Sequence, residues 1–198
     1  MFTEALRQFK TASILLLLCI VLTGIIYPYA VTAIAQLLFP WQANGSLIKS
    51  QDKVMGSLLI GQSFADMKYF WSRPSATSPF PYNAASSSGS NFGPSNPDFL
   101  KTVENRISQL KLANPSKNGL IPVDLVTSSA SGLDPDITPQ AAFFQVARIA
   151  QARNIPEVEI ASLIQNHLKT RQFYILGEPR INVLELNLVL DNIPINKE

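Results

Sequence analysis

Three short stretches and two single side chains could do chemistry. GSLLIGQS, Gly56 to Ser63, has the glycine frame of a phosphate loop. Such a loop needs a lysine for the outer phosphates. Gln62 stands in that place and Leu58-Leu59-Ile60 fills the middle, so the stretch reads as a strand with glycine punctuation. SSSGSN, Ser86 to Asn91, could turn backbone amides toward an anion, because glycine and small polar residues permit the necessary bends. A Ser/Asn turn ahead of a capped helix accounts for the same residues without a ligand. Asp134-Pro135-Asp136 offers two carboxylates to a hard cation, but such cations collect several oxygen ligands. Turn formation and compensation of the following helix dipole explain both acids, so no metal is expected. His167 and Cys19 are the chain's single imidazole and single thiol. Neither a histidine-rich zinc site nor a Ser-His-Asp triad is expected, and no catalytic constellation stands out.

The chain of 198 residues carries 16 basic and 14 acidic side chains. All but Arg7, Lys10 and Glu4 lie from Lys49 onward, with the signs interspersed. Nothing in that balance resembles the basic footprint of a nucleic-acid binder. With one cysteine, no intrachain disulfide can form.

Positioning elements begin with the N-terminal run. Thr11 to Ile48 contains no charge and is mostly apolar, more than the ~20 residues a membrane-spanning helix needs. Arg7 and Lys10 precede it, and the positive-inside bias then puts the N-terminus in the cytoplasm and the rest outside. The expected division is residues 1–11 cytoplasmic, 12–38 a transmembrane helix and 39–198 an extracytoplasmic domain. Tyr27, Tyr29 and Trp41 are expected interfacial anchors, and Pro28 is expected to kink or end the straight helix. Ala33-Ile34-Ala35 would suit signal cleavage, yet the apolar run exceeds a signal's core, which favours a retained anchor. Gly24, beside Thr23, offers a small notch for a neighbouring helix.

The remaining residues suffice for one domain with a core. Val54–Phe64 and Ile121–Asp134 read as strands. Asn96-Pro97-Asp98 and Thr138-Pro139 are helix starts, and a further helix begins near Pro156 with Glu157 and Glu159 in its first turn. Asn182 with Glu185 three residues on reads as a cap for NVLELNLVLDNI, favouring helix over strand. The expectation is an α+β domain behind a single transmembrane helix. YFWSRPSATSPFPY, Tyr69 to Tyr82, sets Arg73 among aromatics and prolines; it suits a packed loop and a partner surface equally. The stretch from Tyr82 to Pro97 reads as an ordered loop, with Asn83, Ser90 and Asn91 as expected partner contacts.

Several stretches together resemble one family. They are the YP inside the anchor, FPWQANGSLI, GSLLIGQSF, YFWSRPSAT, YNAASSSGSNFGPSNP, VTSSASGLDPDITPQAA and NVLELNLVLD. In order and across nearly the whole chain, they resemble the C chain of the bacterial potassium-transporting P-type ATPase, the KdpC family. Where members often read S-G-G-S-N, this chain has Ser87-Ser88-Gly89-Ser90-Asn91 with one glycine. The resemblance implies a non-catalytic accessory subunit in the bacterial inner membrane. Its partners would be a potassium-selecting channel-like subunit and an ATP-hydrolysing P-type subunit, with lipid around the anchor. It also implies a catalytic chaperone that raises the pump's affinity for ATP, with Ser88, Gly89, Ser90 and Asn91 as the seat of any nucleotide contact. The expected partner interface comprises Gly24, Trp41, Arg73, Asn83, Ser90 and Asn91. A membrane-anchored binding module for some other small ligand is the second reading.

Overall fold

A computed structural model describes residues 2–50, 53–115 and 119–192. The chain divides into two units, Met1–Ser46 and Leu47–Glu198.

In the first unit the uncharged run takes the one local structure that satisfies every backbone group within its own segment. α1 (Phe2–Val21), a π-helical turn (Leu22–Ile26) and α2 (Tyr27–Leu38) form a 37-residue helical stretch, long and apolar enough to cross a membrane. Its threonines return their hydroxyls to the helix, Thr11 Oγ1 to Arg7 O at 3.1 Å and Thr23 Oγ1 to Cys19 O at 2.7 Å. Pro28 does not end the helix. The wider π turn carries the Tyr27 N–H to Leu22 O, and Pro28 then falls in the first turn of α2, where a missing N–H does no harm. Phe39 leaves helical geometry (φ −138°, ψ 55°), and Pro40 opens the single turn α3 (Pro40–Ala43), which carries a half-buried Trp41. The Asn44 and Gln36 amides exchange hydrogen bonds of 3.2 and 3.3 Å across this corner.

The second unit is built on helices. β1 (Leu47–Ser50) and β2 (Lys53–Ser57) pair antiparallel with a bulge between Ile48 and Lys49. α4 (Pro97–Ala113) starts where expected: Asn96 Oδ1 accepts from the amides of Asp98 and Phe99, at 2.9 and 3.2 Å. It stops at Asn114, before Pro115. Ile121–Asp134 is not a strand. Val123–Leu125 makes a 3-10 turn, and the hydroxyls of Thr127, Ser129 and Ser131 bond nearby backbone groups (Val123 O, Gly132 N, Leu133 N), replacing ladder bonds with local ones. The strand that does form is β3 (Asp136–Ile137), two residues paired with β4 (Ile181–Asn182). Val54–Phe64 is strand only as far as Ser57.

Thr138 caps α5 (Pro139–Phe144), accepting from Ala141 N, and the chain then breaks at Gln145 before α6 (Val146–Arg153). α7 (Glu157–Asn166) buries Ile160 and Ile164, and His167 caps its C-terminus. α8 (Val183–Leu190) is capped by Asn182, which accepts from Glu185 N at 3.1 Å. The Glu185 carboxylate meets Lys169 Nζ at 2.7 Å. α8 is buried nearly all round, which is why its sequence shows no polar face. Val183, Leu186 and Leu190 join the main core with Phe70, Ile137, Ile149, Ile160 and Ile164. Leu184 and Leu188 pack with Ile48 of the first ribbon.

Candidate functional site

Between β2 and α4 the chain runs for some forty residues, 58–96, without a strand or helix. Such a segment needs partners for its backbone polar groups. Helix side chains supply them. Asn187 accepts from Phe70 N at 2.8 Å and donates to Phe70 O at 3.0 Å. Gln145, at the break between α5 and α6, treats Trp71 the same way, at 2.8 and 3.2 Å. Arg148, 3 % exposed, donates to Met67 O, to Tyr69 O at 3.0 Å and to Gln145 Oε1 at 2.7 Å, with its guanidinium 4.2 Å from the Trp71 ring centre. Burial lowers its pKa to about 10. At the end of α8, Asp191 takes Tyr69 OH at 2.6 Å and Arg153 Nη2 at 2.7 Å. Burial alone would raise the Asp191 carboxyl; the bonds from Tyr69 and Arg153 hold it below its usual range.

Further along, the loop ties itself to the turn at 127–134. Arg73 Nη1 pairs with Asp134 Oδ2 at 2.9 Å, and Ser75 Oγ donates to Gly132 O at 2.7 Å. Ser75 Oγ also accepts from Tyr82 N at 2.9 Å, while Tyr82 OH donates to Arg73 O. Ser88 N and Ser87 Oγ both donate to Ser131 O at 3.0 Å. Gly61 N reaches Leu133 O at 2.8 Å. Three glycines allow the close approach. A Cβ on Gly61 would stand 2.4 Å from the Tyr82 ring, one on Gly89 2.8 Å from Ala130 O, and one on Gly132 (φ +67°) 2.5 Å from Ser88 O. The Tyr82 phenol is half-buried here, and desolvation pushes its pKa up to about 12.

The residues expected at an interface lie in different settings. Arg73 is half-buried in its ion pair. Asn83 is 9 % exposed; its side chain donates to Ser78 O at 3.0 Å and accepts from Ala85 N at 3.1 Å. Ser90 and Asn91 are exposed, Asn91 with a positive φ of 54°. Ser88 and Gly89 are half-buried, and the Ser88 hydroxyl donates to Gly89 O at 3.1 Å. Gly89 and Ser90, with Phe92, Phe99, Thr102 and Arg106, line a cavity of about 290 Å³. Gly24 and Trp41 belong to the other unit; a Cβ on Gly24 would meet nothing within 4 Å. Gly56 lies inside β2, and Gln62 folds its amide back onto Met55 O at 2.9 Å, so GSLLIGQS forms a ribbon edge and no phosphate loop. Asp134 and Asp136 pair with Arg73 and Arg180, at 2.9 and 3.0 Å, and no cluster of metal-ligating side chains occurs among the described residues. Gln145, Arg148 and Asn187 escaped the sequence reading. Their one signal was a polar side chain set within an apolar helix face.

The family described as K+-transporting ATPase, c chain, matches residues 9–192. The chain belongs to the KdpC family. It is 53% identical over 186 residues to the potassium-transporting ATPase KdpC subunit of Methylococcus capsulatus, covering 94% of this chain and 98% of that one. The corresponding subunit of Herpetosiphon aurantiacus is 54% identical over 185 residues, 93% of this chain and 96% of its own. That of Dechloromonas aromatica is 52% identical over 184 residues, again 93% and 96%. In this KdpC-family chain, the stretches GSLLIGQSF, YFWSRPSAT, YNAASSSGSNFGPSNP and VTSSASGLDPDITPQAA meet in the single knot of loop and turn just described.

Proposed function

We propose that the chain is the accessory c subunit of an ATP-driven potassium-uptake complex in the bacterial inner membrane. The observation that carries this is its similarity, from residue 9 to residue 192, to chains named as KdpC subunits of potassium-transporting ATPases. Its task is to support assembly and activity of a potassium-selecting channel-like subunit and an ATP-hydrolysing P-type subunit, with no chemistry of its own. The helical stretch Phe2–Leu38 crosses the membrane, with Arg7 and Lys10 cytoplasmic and the larger unit outside. The ordered loop supports a docking role, since its backbone is already paired and ordering it adds no entropy cost on binding. Ser90 and Asn91 stand at its surface, while Arg73 and Asn83 brace other parts of the loop through Asp134 and Ser78 O.

Purification of the tagged full chain from detergent-solubilised membranes tests the reading. A stable stoichiometric complex with a P-type ATPase is expected; isolation as a lone chain overturns it.

Raising the pump's affinity for ATP is the finer role. With the larger unit outside the membrane, Ser88 to Asn91, beside the cavity lined by Phe92, Phe99 and Arg106, would be its seat only for nucleotide presented on that face. Two aromatic rings suit a nucleobase. The Ser88 amide is taken by Ser131 O and Arg106 is the one cation in the lining, so the site fits the base end of a nucleotide better than its triphosphate. Photolabelling of the intact complex with an azido-ATP, followed by peptide mapping, checks it. Label confined to the partner subunits removes this role and leaves the accessory role standing.

A further inference from the structure

The segment from Lys169 to Arg180 forms a narrow hairpin, exposed within its own unit from Lys169 to Glu178. Lys169 and Arg180 exchange backbone bonds of 2.9 and 3.0 Å at its base, and Gln172 and Leu176 exchange two of 2.9 Å below the tip. Three residues close the loop, and two of them, Phe173 (φ 52°) and Tyr174 (φ 65°), hold left-handed backbone. Stability alone would place glycine or asparagine at such positions. The tip is instead Phe173-Tyr174-Ile175-Leu176, with exposures of 82, 90, 75 and 54%. Four consecutive large apolar side chains on a closed hairpin are a presented surface, unlike the scattered exposed leucines that any protein carries.

The charges around the hairpin select its occupant. A tip that dips into a bilayer carries free lysines or arginines for the headgroups. Here each cation is engaged: Lys169 with Glu185 at 2.7 Å, Arg171 with Glu178 at 2.6 Å, Arg180 with Asp136 at 3.0 Å. The Arg171–Glu178 pair is two-pronged, both carboxylate oxygens accepting from Nη2, and leaves the collar below the tip neutral. From Gln172 to Gly177 there is no charge at all. A neutral apolar knob with a self-paired collar complements an apolar, uncharged pocket in a protein, where aromatic side chains make the dominant contacts.

We infer that the hairpin tip Phe173–Leu176 is a plug that seats in an apolar pocket of a partner subunit of the same complex. This rests on the reading above that the chain has partner subunits. It is a second contact, on a segment apart from the Ser86–Asn91 loop.

The test uses the full chain. In a Cys19→Ala background, Ile175→Cys is reacted with a membrane-impermeant maleimide, first with the chain alone in phosphatidylethanolamine–phosphatidylglycerol vesicles, then in the purified complex. The thiol should react freely in the chain alone and about tenfold more slowly in the complex, as for a side chain sequestered at an interface core. Equal reaction in both overturns the proposal. Protection in the chain alone also overturns it, in favour of lipid if the chain is monomeric and of a second copy if it is not. As a companion variant, Phe173→Ser with Tyr174→Ser leaves the core untouched, both side chains being outside it, and should lower partner recovery about tenfold. Undiminished recovery overturns the plug. If the unmodified chain recovers no partner at all, the accessory-subunit reading falls first; if it recovers partners while Cys at 175 stays reactive, only the plug falls.

Discussion

Tyr82 couples the ordered loop to pH. Its folded pKa of about 12 lies above the ordinary 10.0, with burial as the main cause. Stability from the neutral phenol is therefore fully present below the unfolded value and lost as pH rises through the folded one. Tyr82→Phe should abolish that alkaline loss. At neutral pH it should cost about 0.5–1.5 kcal/mol, through the missing bond to Arg73 O. Denaturant titration of the full chain in detergent, near pH 7 and near pH 11, checks both halves. An unchanged alkaline loss in the variant would assign it to another group. Gly132 sets the geometry of the same knot. Its φ of +67° and the 2.5 Å approach of Ser88 O leave no room for a methyl group. Gly132→Ala should destabilise the domain by about 1–3 kcal/mol and release the 86–91 segment, read as a gain in protease cutting there.

The 86–91 segment gives a test at the level of elements. Replacing Ser86–Asn91 by Ser-Gly-Ser-Gly-Ser-Gly removes the bond from Ser87 Oγ to Ser131 O and the Asn91 side chain. Complex assembly and growth at limiting potassium should both fall; wild-type behaviour in both would make the segment a tether. Elements were legible where their signals are local. Asn96, Thr138 and Asn182 each cap a helix whose first amides lie two or three residues away, so the caps could be read directly. Order in the Tyr82–Pro97 part of the loop was expected from its Asn, Ser and Pro content, but the fastenings of the part before it were not. Phe70 is held by Asn187, 117 residues distant, and Trp71 by Gln145, 74 residues distant, and no periodicity encodes such pairs. Ile121–Asp134 misled for the opposite reason. Its apolar start, Ile-Pro-Val, suggested a strand, while the serines that follow bond their own neighbours and leave nothing for a ladder.

For the molecule as a whole, the charge asymmetry across the anchor sets the first expectation. Protease added to intact spheroplasts should digest the domain beyond residue 50, and full protection would reverse the topology. Gly24→Leu should leave membrane insertion intact while reducing recovery of partner subunits in detergent, because it fills a notch where a Cβ meets nothing in its own chain. Unchanged recovery would make the helix a tether only. Gly24 also lies inside the π-helical turn, Leu22–Ile26, and that turn fits one more residue than an α-helical turn does. Side chains after Ile26 are consequently out of phase with those before Leu22 by about 100°, one residue's rotation. A helical wheel drawn with one period from residue 12 to residue 38 therefore assigns the far half to the wrong azimuth. The helical stretch is a rod of two phases, whose halves can each meet a different neighbouring helix.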